Sequence, residues 1–310
     1  MKWIFSFLFL SLVAQYSSAQ SISKKEFALM QSKEDSMKSF AIKIIQGINP
    51  SDRLQADSIF TKIFVRTLKI KNSFYYPFDS LFTISSLYAP DSSFRIFTWQ
   101  LVISDYVTRQ HGAIQMKTTD GSLKLLPLID KSDVIENYED TIGNNLGWIG
   151  AVYYKLLLNQ YNGQKFYTLI GYDENNLRSN KKIIEILHFE NDEPIFGGRF
   201  FSIPNNSFKA KNPARFVMEY KKEAGPSLNY DDELKMIVME HLISESNEPN
   251  KKWTLVGDGD YEGLRWIGGK WVYISKIFNE VTPEGLPPTP QPIRDDKGNI
   301  DDLKLKGRDN

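Results

Sequence analysis

No cysteine occurs anywhere in the 310 residues. That single absence removes disulfides, thiolate metal sites and a thiol nucleophile, and it leaves no residue to take a lipid after a secretory leader. Histidine is scarce as well, with His111, His188 and His241 the whole supply. An excess of charge is also lacking, because 38 basic side chains offset 38 acidic ones. Without net charge there is no long-range field to gather nucleic acid or anionic lipid, so neither is an expected partner. Beyond the N-terminus no apolar run approaches the roughly 20 residues of a membrane span.

Motifs of familiar enzymes are missing. The chain has no G-x-S-x-G elbow, no H-E-x-x-H and no phosphate-cradling G-x-x-x-x-G-K. Carboxylate chemistry of the glycosidase kind leaves no spacing rule, because its two acids converge from different strands. A secreted hydrolase of that kind therefore stays as the alternative to a binding protein. Repeats are lacking too: aromatic strands recur, but at irregular spacing.

What is present begins with a leader. Lys2 supplies a positive start, residues 3–13 form a short apolar run, and Ser17-Ser18-Ala19 offers small residues before a cut at Gln20. Residues 1–19 are expected to be a signal peptide, which places the mature chain in the periplasm or outside the cell. Export without a disulfide suits a bacterial envelope, and it makes the hydrophobic core the source of stability.

Residues 23–46 carry Phe27, Met30, Met37, Phe40, Ile44 and Ile45 at helical spacing, and Gly47 is placed to end that helix. Asn49-Pro50-Ser51-Asp52 reads as a turn and N-cap, after which Leu54, Ile59, Ile63, Phe64 and Leu68 repeat the pattern to about Lys69. An αα-hairpin covering one face of a sheet follows. Residues 74–78, Phe-Tyr-Tyr-Pro-Phe, form an aromatic cluster barred from a helix interior by its proline. It reads as a wedge between helix and sheet layers rather than a carbohydrate platform. A short helix is expected over 80–87.

From Phe94 the period changes to two. Strands are expected at 94–103, 113–118, 123–129, 148–158, 165–173, 182–190, 195–202, 214–221, 234–243 and 253–256, followed by a closing hairpin of 262–267 and 270–274. Thr119-Asp120-Gly121, Asn162-Gly163 and Gly268-Gly269 mark tight turns, with Trp266 and Trp271 flanking the last. Short connections predict antiparallel neighbours, and Ile183–Leu187 reads as a central strand covered on both faces. Residues 282–310, rich in proline and then in charge, read as a flexible tail.

The expected fold class is α+β: a helical segment over 20–93, then an antiparallel β-meander over 94–281, curled into a sandwich or partly closed barrel. Site candidates are few. Asp258, Asp260 and Glu262, with Gly263 next, follow the first half of a calcium-loop pattern, but Gly269 stands where an EF-hand has its bidentate glutamate. That leaves a looser calcium loop, set against a plain acidic turn; no other cofactor is implied. His188 and Glu190 share one sheet face without a second ligand cluster, His111 reads as a loop residue, and His241 lies beside Glu240. The expected function is an exported, non-catalytic protein that binds a protein or carbohydrate partner through loops or an aromatic sheet face.

Overall fold

Helix α1, Lys24–Gln46, starts at a reciprocal cap: the Glu26 N–H donates to the Ser23 hydroxyl at 3.2 Å, and the Ser23 N–H donates to the Glu26 carboxylate at 2.9 Å. It stops at Gly47, whose backbone is extended, not left-handed. Crowding demands glycine there, since a Cβ would stand 2.7 Å from the Lys43 carbonyl oxygen. Helix α2, Pro50–Leu68, places proline in its first turn, where no N–H is needed. The computed structural model describes residues 22–104, 106–204 and 212–277, so the expected signal peptide (residues 1–19) and the expected tail (residues 282–310) lie outside the described residues.

The buried stripes of the two helices are offset from the expected ones. Phe27, Ile45 and Leu54 are exposed, while Glu34, Arg53 and Asp57 turn inward beside Met30, Met37, Phe60 and Phe64. Each inward polar group has a partner waiting, which is what makes its burial tolerable. Glu34 accepts from the Tyr76 hydroxyl and the Ser80 N–H, Arg53 donates to the Val102 and Gly47 carbonyls, and Asp57 accepts from Trp99 Nε1 at 2.9 Å. Apolar periodicity alone is blind to such groups.

The strands fall into three sheets. In the first, β1 (Ser85–Tyr88), β2 (Phe94–Ser104), β3 (Val107–Met116) and β4 (Lys124–Ile129) pair antiparallel in chain order. The second contains β5 (Gly143–Asn144), β6 (Val152–Tyr161), β7 (Gln164–Asp173), β8 (Ser179–Glu190) and β9 (Glu193–Phe196) in the order β5-β9-β8-β7-β6. The third is built from β10 (Phe201–Ser202), β12 (Leu228–Asp231), β13 (Met236–Ser244), β14 (Leu255–Ile267) and β15 (Lys270–Ile274), ordered β10-β15-β14-β13-β12. Strand β11 (Phe216–Lys221) joins the second sheet on β8, and the short β10–β15 contact is parallel.

These parts stack in four layers, helices and then three sheets, with a core in each gap. Phe60 and Phe64 meet Phe97 and Trp99 in the first gap. Phe94, Ile96 and Ile114 meet Tyr153, Leu169 and Leu187 in the second. In the third, Ile170, Ile184 and Ile186 meet Ile237, Leu264 and Trp271. The α+β class with its antiparallel meander is thus the observed one. Ile183–Leu187 is covered on both faces as expected, by the first and third sheets, while the helices cover the first sheet.

The aromatic wedge is also as expected, for Tyr76 and Phe78 sit in the helix-to-sheet core. Arg95, fully buried, pins it by donating to the Tyr76 and Ser73 carbonyls and stacking 4.5 Å from the Phe97 ring centroid. Residues 85–88 form β1 where a helix was expected, because their backbone completes the edge of β2. The strand expected over 195–202 is broken by Gly197 and Gly198, both at positive φ, into β9 and β10, which belong to different sheets. His111 lies inside β3, opposite Trp99. Asn162-Gly163 and Gly268-Gly269 both turn with two positive φ values, as the hairpin reading requires.

Candidate binding site between two splayed strands

The β7–β8 ladder runs from Asp173 opposite Lys181 to Tyr167 opposite Leu187, and there it ends. Both strands continue. Residues 164–166 remain paired to β6, and residues 188–190 remain paired to β9 on the opposite edge of β8. The sheet therefore forks.

Register fixes which backbone groups face the fork. A two-residue turn at Asn162-Gly163 makes Tyr161 and Gln164 a hydrogen-bonded pair, so Gln164 and Phe166 direct their N–H and C=O toward β6 and Lys165 directs its own away. A second such turn, Asn191-Asp192, makes Glu190 and Glu193 the bonded pair, so Phe189 faces away from β9. Pro194, which has no N–H, sits opposite Phe189 as that parity requires. Lys165 and Phe189 would have been the next bonded rung of the β7–β8 ladder. Instead a cavity of about 500 Å³ separates their strands, lined by residues 163–167, residues 188–190 and Phe200. That volume lies in the range of about 300–1,000 Å³ common to small-ligand sites.

Aromatic rings flank the fork on both faces of the sheet. Toward the third sheet, Phe166 stands 4.9 Å from Phe200 and 6.1 Å from His188, and His188 is 5.7 Å from Phe200. Toward the first sheet, Phe94 stands 4.7 Å from Tyr167 and 5.3 Å from Phe189. Few polar groups join them. His188 Nε2 lies 3.2 Å from Glu190, whose carboxylate is mostly exposed at the mouth. Lys165 and the Tyr167 hydroxyl both donate to Asp91, at 2.7 and 2.9 Å, and Ser93 donates to its other oxygen. Burial alone would raise the Asp91 pKa, but the hydrogen bonds from Lys165, Ser93 and Tyr167 outweigh it and bring the carboxyl down to about 2.

The acids singled out in the sequence lie elsewhere and do not converge. Asp258, Asp260 and Glu262 belong to β14, a strand and not a loop, with Gly259 at φ +88°. Asp258 accepts from the Asp260 N–H and lies 2.8 Å from His241 Nδ1. Glu262 turns inward, nearly fully buried, and accepts from the Tyr273 hydroxyl. Among the described residues no group of three or more histidine and acidic side chains has a metal-holding arrangement. All three histidines stand beside a carboxylate: His111 meets Asp57 at 3.0 Å between strand and helix, His241 meets Asp258 between β13 and β14, and His188 meets Glu190 along β8 itself.

Three glutamates do meet between the second and third sheets. Glu139, Glu219 and Glu262 line a cleft with Phe216, Met218, Leu242, Leu255 and Lys252. Burial raises the Glu139 pKa, with Glu219 adding to it and Lys252 opposing. The space measures about 20 Å³, room for roughly one water.

The fork leaves no mark in the sequence beyond its two Asn-led turns, Asn162-Gly163 and Asn191-Asp192. A hairpin signal tells where a strand pair closes and nothing about where a neighbouring pair parts. Compared with protein-family models, curated proteins and solved structures, the chain matches none.

Proposed function

We propose that this protein is an exported, non-catalytic binding protein of the bacterial envelope that holds its ligand in the fork between β7 and β8. The observation that carries this is the fork itself: a cavity of about 500 Å³ walled by rings on both faces, with a small number of polar groups at its rim. Apolar walls supply affinity and the few polar groups supply orientation, which is the usual division of labour in a ligand site. The hydrolase alternative would draw on Glu139, Glu219 and Glu262, whose cleft admits about one water and no sugar ring.

The test is an amide-resolved NMR titration of the isotopically labelled mature chain with mixtures of soluble peptides and oligosaccharides. Resonances of residues 163–167 and 188–190 and of Phe200 are expected to move, with the added compounds recovered uncleaved. Movement confined to other regions, or cleaved compounds in the filtrate, overturns the proposal. Export rests on Lys2, the apolar run and Ser17-Ser18-Ala19. N-terminal sequencing of protein from the native host is expected to begin at Gln20, and full-length protein in the cytoplasm would contradict it.

A further inference from the structure

We infer that the ligand of the fork is an extended peptide, inserted as a strand between β7 and β8. This rests on the fork being the binding site and adds the class of molecule it takes. By register the N–H and C=O of Lys165 and of Phe189 face each other across the opening, where the ladder that pairs Tyr167 with Leu187 has ended. Unpaired strand edges are templates for another strand, and here two of them line one cavity. A strand carries its N–H and C=O groups at the regular spacing both edges present, a match that the hydroxyls of a sugar do not reproduce.

The walls match a strand too. Side chains of an inserted strand alternate between the faces of the sheet, and each face of the fork carries a ring cluster: Phe166, His188 and Phe200 on one, Phe94, Tyr167 and Phe189 on the other. Successive apolar residues are therefore accepted, as in any strand covered on both faces. The lips are three residues deep, which an extended tripeptide of about 10 Å spans. Charge at the mouth selects the flanks: Lys165 is held by Asp91, whereas Glu190, two-thirds exposed, meets His188 through Oε1 alone and keeps its second oxygen for a basic residue. The partner is thus a short apolar run of peptide flanked by lysine or arginine.

The probe is the capped pentapeptide Lys-Val-Phe-Val-Lys, tested beside the same peptide N-methylated at alternate apolar residues. Hydrogen exchange of the Lys165 and Phe189 amides is measured on the labelled mature chain. The parent peptide, at about a hundred times its Kd, is expected to slow both amides about a hundredfold, and the N-methylated peptide is expected to lose binding. Equal binding of both peptides with unchanged exchange overturns strand insertion while leaving the fork as a binding site. So does failure of the parent peptide to bind when other compounds still move the fork resonances. If nothing in the mixtures moves them, the binding reading itself fails along with the inference.

Discussion

Glu185 and Arg215 form an ion pair at 3.1 Å with neither side chain measurably open to solvent. It sits in the middle sheet, where β8 meets the approach to β11. The carboxylate also accepts from the Tyr153 hydroxyl, which accepts in turn from Trp148 Nε1, and the guanidinium donates to the Tyr138 and Thr141 carbonyls. Burial and the neighbouring Glu185 push the Tyr153 phenol well above its ordinary value, so it remains the donor. One ion pair thereby ties the long 130–142 connection to the second sheet.

Removing one partner leaves the other charge buried alone. Glu185→Ala is expected to destabilise by about 3–5 kcal/mol in urea or guanidinium unfolding, while the paired change Glu185→Leu with Arg215→Met recovers much of that loss. A loss below 1 kcal/mol for the single variant would show that water reaches the site.

The Asp91 carboxyl, held at about 2 against an ordinary 3.8, sets an acid-sensitive contact on one wall of the fork. A depressed folded-state pKa supplies stability that is complete above about pH 4 and is lost as pH falls toward 2. Stability measured across that window should decline less steeply in Asp91→Asn than in the parent. Parallel curves would place the titration elsewhere.

Gly268 and Gly269 are not equivalent. Both hold positive φ, but a Cβ on Gly268 meets open space, whereas one on Gly269 would stand 2.5 Å from the Tyr161 ring. Gly268→Ala is expected to cost about 1–2 kcal/mol through the left-handed backbone alone. Gly269→Ala adds the displacement of Tyr161 and should cost more, and valine at either position more again. Equal unfolding midpoints for the two alanine variants would refute the distinction.

If Asp258, Asp260 and Glu262 held calcium, the ion would stabilise the folded chain by mass action. Their separation, with Glu262 buried against Tyr273, gives the opposite expectation. Melting curves with millimolar calcium and with chelator should superimpose in the parent and in Asp260→Ala. A midpoint that rises with calcium only in the parent would restore the site.

Local signals accounted for much of the fold. The three-and-four spacing of Phe27, Met30, Met37, Phe40 and Ile44 located α1, the period-two run from Phe94 located β2, and Asn162-Gly163 and Gly268-Gly269 located two hairpins, because each depends on backbone preferences within a few residues. The α+β class followed from their order. Less legible were the buried charges Glu34, Asp57 and Arg95, whose partners lie 7 to 54 residues away. Invisible altogether were the division of the strands into three sheets and the parting of β7 from β8. Pairing along a sheet edge is a choice among distant segments, made by which faces can be buried together. Sequence determined what most segments are, and tertiary packing decided that β8 spends its last residues on β9, leaving Lys165 and Phe189 to face one another across an open fork.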